Sequence, residues 1–311
     1  MSLTALEVKA EAARLGFLAC GITDLTPTPH GSELDAWLTR GYGGTMRYLH
    51  RQAKKRKDPE RIDPEAQRVV VVLDNYFSPD QPADLEPPRV AKYARGEDYH
   101  QAMLLRLDQL AAFLRQNGAN VARSYTDTGP VPERELAQRA GLGWIGKNTM
   151  LIQPGTGSFS FIGSVFTDLP FAIDQPFELD RCGSCTRCLD ACPTGAFVEA
   201  HVLDATRCIA YLTIEHRGPI PAGMVPKLDG WAFGCDVCND VCPWNVRFAA
   251  EATAAEFRPR GLLHGVKPDF FDRMDEPEFA ARFGSTPLAR PGLAGMRRNL
   301  HAAFASRPAL P

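Results

Sequence analysis

The chain has 311 residues, of which 44% are hydrophobic and 23% are charged, and its formal net charge is −2. This length allows about two domains with a full core, and the composition is that of a soluble globular protein. The small net charge excludes a protein whose whole surface is strongly basic. A local nucleic-acid surface stays open, because the distribution of charge matters more than its sum.

The sequence predicts neither a membrane span nor an export signal. The apolar run at 69–73 has the length of a strand and is too short to cross a bilayer. The N-terminus, Met1 to Thr4, has no basic region before an apolar stretch. With nine cysteines and no export signal, we expect a reducing, cytoplasmic environment.

Helices and strands are predicted to alternate through the first 174 residues. In chain order they are a helix over 6–15, a strand over 17–20, a helix over 32–41, a strand over 69–73, a helix over 98–116, a strand over 121–125, a helix over 132–140 and a strand over 158–166. Such alternation predicts an α/β domain over residues 1–174. Residues 175–250 carry the cysteine-rich second domain, and residues 251–311 are predicted to form a small helical appendage.

Eight cysteines follow a spacing that is typical of iron–sulfur proteins. Cys182, Cys185, Cys188 and Cys192 form a C-x2-C-x2-C-x3-C run before Pro193, Cys235, Cys238 and Cys242 precede Pro243, and Cys208 stands between the two groups. In this signature the fourth cysteine of a run ligates the other cluster. Applied twice, the rule predicts one 4Fe-4S cluster on Cys182, Cys185, Cys188 and Cys242 and a second on Cys192, Cys208, Cys235 and Cys238.

Three other interpretations of these cysteines fit less well. Two four-cysteine zinc sites would use the C-x2-C pairs, but zinc does not explain three cysteines in one tight run before a proline. Disulfides are disfavoured because nothing indicates secretion. A radical-SAM site needs C-x3-C-x2-C, and no cysteine follows Cys192 at the second gap. The ninth cysteine, Cys20, is expected to be an inert core thiol.

A glycine-rich segment at 141–148 matches two nucleotide-binding motifs and is assigned to neither. It follows a predicted helix where the dinucleotide motif needs a strand, and Asn148 replaces the Ser or Thr that a P-loop requires. We expect its glycines to let the backbone approach a large flat ligand. Upstream, Asp127 occupies a strand-to-turn position, where an aspartate is more often a turn former than a catalytic group.

A set of longer segments resembles the epoxyqueuosine reductase family. The segments are YARGEDYH (93–100), YTDTGPVPERELAQRAGLGWIGKNTMLI (125–152), FTDLP (166–170), CIAYLTIEHRGPIP (208–221), CDVCNDVCPWN (235–245) and the eight cysteines. The resemblance implies a nitroreductase-like α/β domain that binds cobalamin, followed by a ferredoxin-like domain with two 4Fe-4S clusters. It also implies reduction of epoxyqueuosine to queuosine at the wobble position of tRNA anticodons.

The resemblance further implies roles for single residues. The family's catalytic acid matches Asp127, which must then stay neutral near pH 7, and we expect burial to raise its pKa. The candidate cobalamin contacts are Arg51, Tyr93, Asn148 and Thr149 in addition to Asp127. His100 is interpreted as a hydrogen-bonded histidine at a helix start rather than as a cobalt ligand.

The implied partners are a tRNA anticodon stem-loop and an external electron donor such as flavodoxin or ferredoxin, with no membrane and no need for more than a monomer. Phosphate contacts are expected from the basic run at 51–61 and from three C-terminal arginines, Arg290, Arg297 and Arg298. Such a run is as often a solvated face. The chain departs from the family at Ser164, where an acidic residue is usual, and in its shorter C-terminal helical repeat.

Two alternatives remain. A cobalamin-dependent reductive dehalogenase would use the same cofactors on small halogenated compounds, but such enzymes usually carry an export signal and need no basic surface. A ferredoxin-type electron carrier would use residues 1–174 for docking, and it predicts no bound cobalamin and no role for Asp127.

Overall fold

The computed structural model describes residues 3–306. Met1 and Ser2, which entered the export-signal prediction, and residues 307–311, the end of the predicted appendage, lie outside the described residues. Within 3–306, no helix combines the length and the apolar character needed to cross a membrane.

All eight elements predicted for the first 174 residues form, with bounds that differ by a few residues. The elements of this region are α1 (Ala5–Arg14), β1 (Ala19–Thr23), α2 (Gly31–Thr39), α3 (Arg47–Lys57), β2 (Arg68–Asn75), β3 (Arg89–Val90), α4 (Tyr99–Gln116), β4 (Ala122–Tyr125), α5 (Glu133–Arg139), β5 (Trp144–Ile145), β6 (Leu151–Ile152) and β7 (Ser160–Thr167). The first strand begins two residues later than predicted. Phe17, which precedes the strand, is a buried core residue but is not part of it. Helix α3 was not predicted, since it buries no residue and so has no apolar period.

Four strands form one sheet in the order β1-β2-β7-β4, and every pairing is antiparallel. The alternation of helices and strands predicted an α/β (α+β) domain without specifying strand directions. The mixed α/β class is confirmed. The observed class is a mixed α/β fold with an antiparallel sheet.

Strand β2 is buried on both faces of this sheet. Val70 and Val72 pack toward α1 and α4, whereas Val69, Val71 and Leu73 pack toward α5. All five side chains have 0% exposure, so each contributes roughly 1.5–3 kcal/mol of burial. This explains why the run has no polar alternation: it is a central strand, as predicted.

The second half of the chain has short elements around the cysteines and longer helices at its end. They are α6 (Arg187–Asp190), β8 (Phe197–Glu199), β9 (Val202–Leu203), α7 (Ile209–Ile214), β10 (Trp231–Phe233), α8 (Val237–Asp240), α9 (Pro243–Phe248), α10 (Glu276–Phe283) and α11 (Gly292–Ala305). Strand β10 pairs in parallel with β3, which joins the two halves of the chain. Helices α10 and α11 share a core with Ala94, Ala232 and Phe233, so the predicted appendage is packed against β10.

Candidate active site and cysteine clusters

A cleft that is open to solvent, with about 920 Å³ of empty space including its mouth, lies between the sheet, the start of α4 and the β5–β6 hairpin. Its apolar wall consists mainly of aromatic and aliphatic side chains, namely Leu73, Tyr76, Tyr93, Tyr99, Met150, Leu151, Phe161 and Ile162. Its polar side chains include Thr126, Asp127, Glu133 and Arg134, which come from the β4–α5 connection and the start of α5. A large, mostly apolar cavity with a few convergent polar groups is the usual form of a cofactor or substrate site.

The turn after β4 projects Asp127 into this cavity. Asp127 has φ +53°, a left-handed conformation that aspartate tolerates better than most residues. The hydroxyl of Thr126 donates to the carbonyl oxygen of Ile162 (2.9 Å), and the backbone N–H of Asp127 donates to Oε1 of Glu133 (2.6 Å). Asp127 is therefore both a turn residue and a cavity residue.

Helix α4 supplies the partners of the Asp127 carboxylate. The hydroxyl of Tyr99 donates to Oδ2 of Asp127 (2.6 Å), and Nε2 of His100 lies 3.4 Å from the same oxygen. On its other side the His100 ring contacts Oδ1 of Asp98 through Nδ1 (2.6 Å). The expectation that His100 is hydrogen-bonded at a helix start is confirmed, and one of its two partners is Asp127.

The expectation that Asp127 is neutral assumed burial against the corrin, and in the protein itself the pKa of Asp127 shifts in the other direction. Burial pushes the pKa of Asp127 upward, but hydrogen bonds from His100 and Tyr99 outweigh it, so its pKa is lowered. The side chain also keeps 62% of its surface open to the cavity, which allows water to stabilise the anion. Burial would lower the pKa of His100, yet its bonds to Asp127 and Asp98 raise that pKa to about 9. At pH 7 the pair is therefore a carboxylate and an imidazolium.

Glu133 is the cavity group that retains a proton. Burial raises the pKa of Glu133 to about 8, and the charge of Asp127 adds to that effect. The sequence analysis assigned no role to Glu133. The signal for it is weak, a second carboxyl six residues after the first across a Gly-Pro turn.

The predicted cobalamin contacts lie at different depths. Tyr93 and Asp127 line the cavity, whereas Arg51 is exposed on α3. Asn148 is buried, and its Nδ2 lies 3.4 Å from both the carbonyl oxygen of Cys238 and Oδ1 of Asn239. The carbonyl oxygen of Thr149 accepts a hydrogen bond from Nη1 of Arg134 (2.8 Å), and Arg134 is itself a cavity residue.

The glycines of the segment 141–148 allow it to pack closely against other backbone segments of the protein. A Cβ on Gly143 would lie 2.3 Å from the carbonyl oxygen of Ile152, and one on Gly141 would lie 2.7 Å from that of Gln175. The expectation that these glycines admit a flat ligand is therefore wrong for both positions. Because the segment follows α5, the rejection of the dinucleotide motif is confirmed.

One of the two predicted cysteine sets surrounds a cavity at the protein surface. A cavity of about 560 Å³ is lined by all four cysteines of one set, Cys182, Cys185, Cys188 and Cys242. Ile152 and Trp244 line it as well. The first three of these cysteines are partly exposed. We call this group the outer cysteine set. The four thiols enclose a space large enough for a group bigger than a single ion.

The other predicted set consists of Cys192, Cys208, Cys235 and Cys238, which are all partly exposed. Burial raises the pKa of the Cys208, Cys235 and Cys238 thiols, and the charges of the neighbouring cysteines add to it, including Cys192 for Cys208 and Cys238. We call these four residues the inner cysteine set. Cys20 lies on β1, outside both sets, and burial raises its pKa to about 12, as expected for an inert core thiol.

Buried hydrogen bonds join the inner cysteine set to the active-site cavity. Ser158 lines that cavity, and its hydroxyl donates to Oδ1 of Asn239 (3.1 Å), the residue after Cys238. Nδ2 of Asn245 donates to the Ser158 hydroxyl (2.8 Å). Asn239 follows Cys238 of the inner set and Asn245 lies three residues after Cys242 of the outer set, so these bonds connect residues beside both sets to the cavity wall.

Only part of the predicted basic surface is free. Four exposed side chains on α3 have no carboxylate partner among residues 3–306, namely Arg47, Arg51, Lys54 and Lys55, and we call them the α3 stripe. By contrast, Lys57 pairs with Asp35 (2.6 Å) and Arg61 with Asp58 (2.6 Å), and Arg56 donates to the carbonyl oxygens of Gly129 and Val131.

The C-terminal arginines are mostly structural. Arg298 donates to the carbonyl oxygens of Leu212, His216 and Gly218, and Arg297 to those of Phe271 and Met274. These bonds give both guanidinium groups a structural role, and their expected role as phosphate contacts stays a prediction. Arg290 stays exposed and pairs with Glu215 (3.1 Å). Ser164, the departure noted in the sequence, is buried in β7 opposite Val71.

Comparison with known proteins gives a consistent result. Residues 181–245 match the family model of a 4Fe-4S double cluster binding domain, and residues 56–128 match that of epoxyqueuosine reductase QueG, DUF1730. The chain is 39% identical to the epoxyqueuosine reductase of Cellulophaga algicola, over 94% of this chain and 95% of the relative. It is 36% identical to that of Escherichia coli K12, over 98% of this chain and 81% of the relative.

Solved structures agree with the sequence relatives. A crystal structure of epoxyqueuosine reductase with a tRNA-Tyr epoxyqueuosine-modified stem loop superimposes with a TM-score of 0.86 at 30% identity, covering 97% of this chain and 80% of that one. A structure of the Bacillus subtilis epoxyqueuosine reductase, with its catalytic aspartate loop swung out of the active site, gives a TM-score of 0.84 at 29% identity, covering 97% and 81%.

Proposed function

The chain belongs to the epoxyqueuosine reductase family, and from this membership we propose that it reduces epoxyqueuosine to queuosine at the wobble position of tRNA anticodons. The reaction removes an epoxide oxygen with two electrons and two protons and yields an alkene and water. One observation carries the proposal for this chain. A single cavity is lined by Asp127 and its partner Tyr99 and also by Ser158, which bonds to Asn239, the residue after Cys238 of the inner cysteine set.

The residues fit the cofactors that this reaction needs. When bound, two 4Fe-4S clusters supply single electrons, and cobalamin supplies a cobalt centre able to react at carbon. The outer and inner cysteine sets would each hold one cluster. The aromatic wall with Tyr93, and the small side chains Ser158 and Ser160 beside it, would hold the corrin in the active-site cavity. Asn148 and Thr149 would act from behind that wall, through their bonds to Cys238 and Arg134.

Asp127 is proposed to transfer the first proton to the opening epoxide oxygen. Its carboxylate carries no proton at pH 7 and accepts from the protonated His100, so the proton starts on the imidazolium and passes through Asp127 to the epoxide oxygen, leaving His100 neutral. Tyr99 holds the carboxylate in place through its 2.6 Å bond, and its ring stacks on Phe161 at 4.2 Å. This arrangement replaces the neutral Asp127 of the sequence analysis with a relay of two groups.

The α3 stripe is proposed to bind phosphates of the anticodon stem-loop. Helix α3 ends next to the Asp127 turn, because Arg56 donates to the carbonyl oxygens of Gly129 and Val131. Cations on this helix would therefore lie beside the cavity mouth. The wobble nucleotide must leave the loop stack to enter the cavity, which costs less in a single-stranded loop than in a duplex.

The outer cysteine set is proposed to receive electrons from a flavodoxin or ferredoxin. Arg181 lines the cavity of this set, and two further exposed arginines, Arg187 and Arg247, are close in sequence to Cys188 and Cys242; none of the three has a carboxylate partner among the described residues. Val246 on α9 is 71% exposed. A small acidic carrier could approach this rim without crossing the tRNA surface.

Three further features are carried as proposals. We assign a nitroreductase-like cobalamin domain to residues 1–174, a ferredoxin-like domain to 175–250 and a helical region with a role in tRNA contact to 251–311. We also propose a cytoplasmic location, because free thiols persist in a reducing compartment and the tRNA substrate is found there. We further propose that the protein is a monomer. The described cysteines are all free, which agrees with a reducing compartment. The pairing of β3 with β10 brings residues 1–174 into contact with residues 175–250.

The experiment that tests the function is a nucleoside mass analysis. Epoxyqueuosine-containing tRNA is incubated anaerobically with the protein, cobalamin and a strong reductant. The expected result is conversion to queuosine that depends on cobalamin. Absence of conversion with clusters and cobalamin loaded would overturn the proposal in favour of a small-molecule reductive enzyme, and absence of cobalamin binding would favour an electron carrier.

A further inference from the structure

The proposed reaction consumes two protons, and the Asp127–His100 relay accounts for one. The first proton is required when a C–O bond of the epoxide breaks and the oxygen becomes a hydroxyl group. The second is required when the remaining C–O bond breaks and that hydroxyl departs as water. The two electrons come from the reductant, and the carbons end as an alkene. A second acid is therefore needed within reach of the same oxygen.

We infer that Glu133 is this second acid and gives its proton to the departing hydroxyl group. The inference rests on the proposed function. Glu133 is the first residue of α5, and its side chain lines the same cavity as Asp127. The 2.6 Å bond from the Asp127 backbone N–H to Oε1 of Glu133 ties the Asp127 turn to the start of α5, and both side chains line the same cavity.

The charges around Glu133 favour its protonated form at pH 7. Burial is the largest effect on its pKa, and the anionic Asp127 adds to it. Arg134 on α5 and Arg56 on α3 act in the opposite direction and do not cancel the other two. On α4, Tyr99 and His100 reach Asp127 rather than Glu133. With its pKa raised to about 8, Glu133 carries a proton below that pH and loses it above.

A purely structural role makes a different prediction. If Glu133 only accepts the Asp127 N–H bond, an amide oxygen at the same place would serve equally well. Glu133→Gln keeps that acceptor and removes the acidic proton, whereas Glu133→Ala removes both. Glu135→Gln is the matched control, because Glu135 lies on the same helix and contacts Thr28 and Arg139 away from the active-site cavity.

The test is single-turnover conversion of epoxyqueuosine tRNA by the fully loaded protein from pH 6 to pH 9.5. We expect Glu133→Gln to lower the rate on the order of 10²-fold or more, with stem-loop affinity unchanged. We also expect the wild type and Glu135→Gln to lose activity from about pH 8, and the residual rate of Glu133→Gln to stay level until about pH 9, where His100 loses its proton. A Glu133→Gln variant with the wild-type rate and pH profile would overturn the inference, whatever Glu133→Ala does.

A second measurement does not depend on turnover. Isotope-edited infrared spectra of the protein should contain the carbonyl band of a neutral carboxyl group that disappears as the pH rises through about 8. The band should be missing in Glu133→Gln and present in Glu135→Gln. A band that persists in Glu133→Gln overturns the inference. Inactivity of the wild type would overturn the proposed function instead, and the infrared result would still decide whether Glu133 holds the proton.

Discussion

The hydroxyl of Tyr99 and the carboxylate of Asp127 meet at 2.6 Å, although 28 residues separate them in the chain. His100, the next residue of α4, reaches the same oxygen at 3.4 Å. Two adjacent side chains of one helix thus fix a carboxylate that stands on a left-handed turn. The position of Asp127 depends on α4 and not on its own loop alone.

Replacement of Asp127 by asparagine should abolish most turnover while cobalamin binding remains. Asparagine is close to aspartate in size and can accept the Tyr99 bond, but it cannot carry a proton from His100. We expect the rate to fall on the order of 10²–10⁴-fold. Single-turnover conversion and the visible spectrum of bound cobalamin measure the two properties separately. Retained turnover in this variant would contradict the relay.

His100 should stabilise the fold in a pH-dependent way. Its pKa is raised in the folded state from 6.5 to about 9, so its contribution is fully present below pH 6.5 and is lost as the pH rises through 9. We expect His100→Gln to lower the free energy of unfolding on the order of 2 kcal/mol at pH 6 and by much less at pH 10. Anaerobic urea unfolding followed by tryptophan fluorescence at both values measures this. Equal losses at pH 6 and pH 10 would argue against a charged His100.

The cysteine assignment predicts which variants resemble one another. Cys192 follows Cys188 in the sequence, but it is assigned to the inner set with Cys208. Cys192→Ala and Cys208→Ala should therefore lose the same cluster, about four iron atoms per chain, and retain the other. Cys188→Ala should lose the outer cluster. Iron content and the electron paramagnetic resonance of the reduced proteins distinguish these cases. A Cys192 variant that matches Cys188→Ala would contradict the exchange of the fourth cysteine.

The sequence predicted the chemistry of this protein better than its geometry. The eight cysteines lie in short motifs whose spacing carries the information, whereas the role of Asp127 was implied only by the family resemblance. The antiparallel sheet was not predicted, because alternation of helices and strands gives their order and not their direction. Glu133 and the Tyr99–Asp127 bond were missed for a related reason, since the electrostatics of a carboxyl group depend on neighbours that only the folded chain brings near. Helix α3 lacked the apolar period on which helix prediction depends.

The α3 stripe should determine the salt dependence of tRNA binding. Replacing Arg51 or Lys54 by glutamine removes one phosphate contact, so affinity should fall and the slope of log K against log salt should decrease by about 0.7–0.9. Lys57→Gln is a suitable control, because Lys57 lies on the same helix and pairs with Asp35 at 2.6 Å. Binding of a labelled stem-loop between low and moderate salt measures both quantities. A change as large in Lys57→Gln as in Lys54→Gln would exclude the stripe as the specific surface.

Arg298 should matter for stability rather than for tRNA. Its guanidinium donates to three carbonyl oxygens, those of Leu212 (3.0 Å), His216 (2.8 Å) and Gly218 (2.7 Å), and so fastens α11 to the end of α7. Arg298→Met keeps much of the side-chain volume but leaves these acceptors without their charged donor, which should cost about 2–3 kcal/mol. Arg290→Gln breaks only an exposed ion pair with Glu215 and should cost less than about 1 kcal/mol. Urea unfolding compares the two variants, and stem-loop binding by folded Arg298→Met should match the wild type. A variant with normal stability and weakened tRNA binding would restore Arg298 to the tRNA surface.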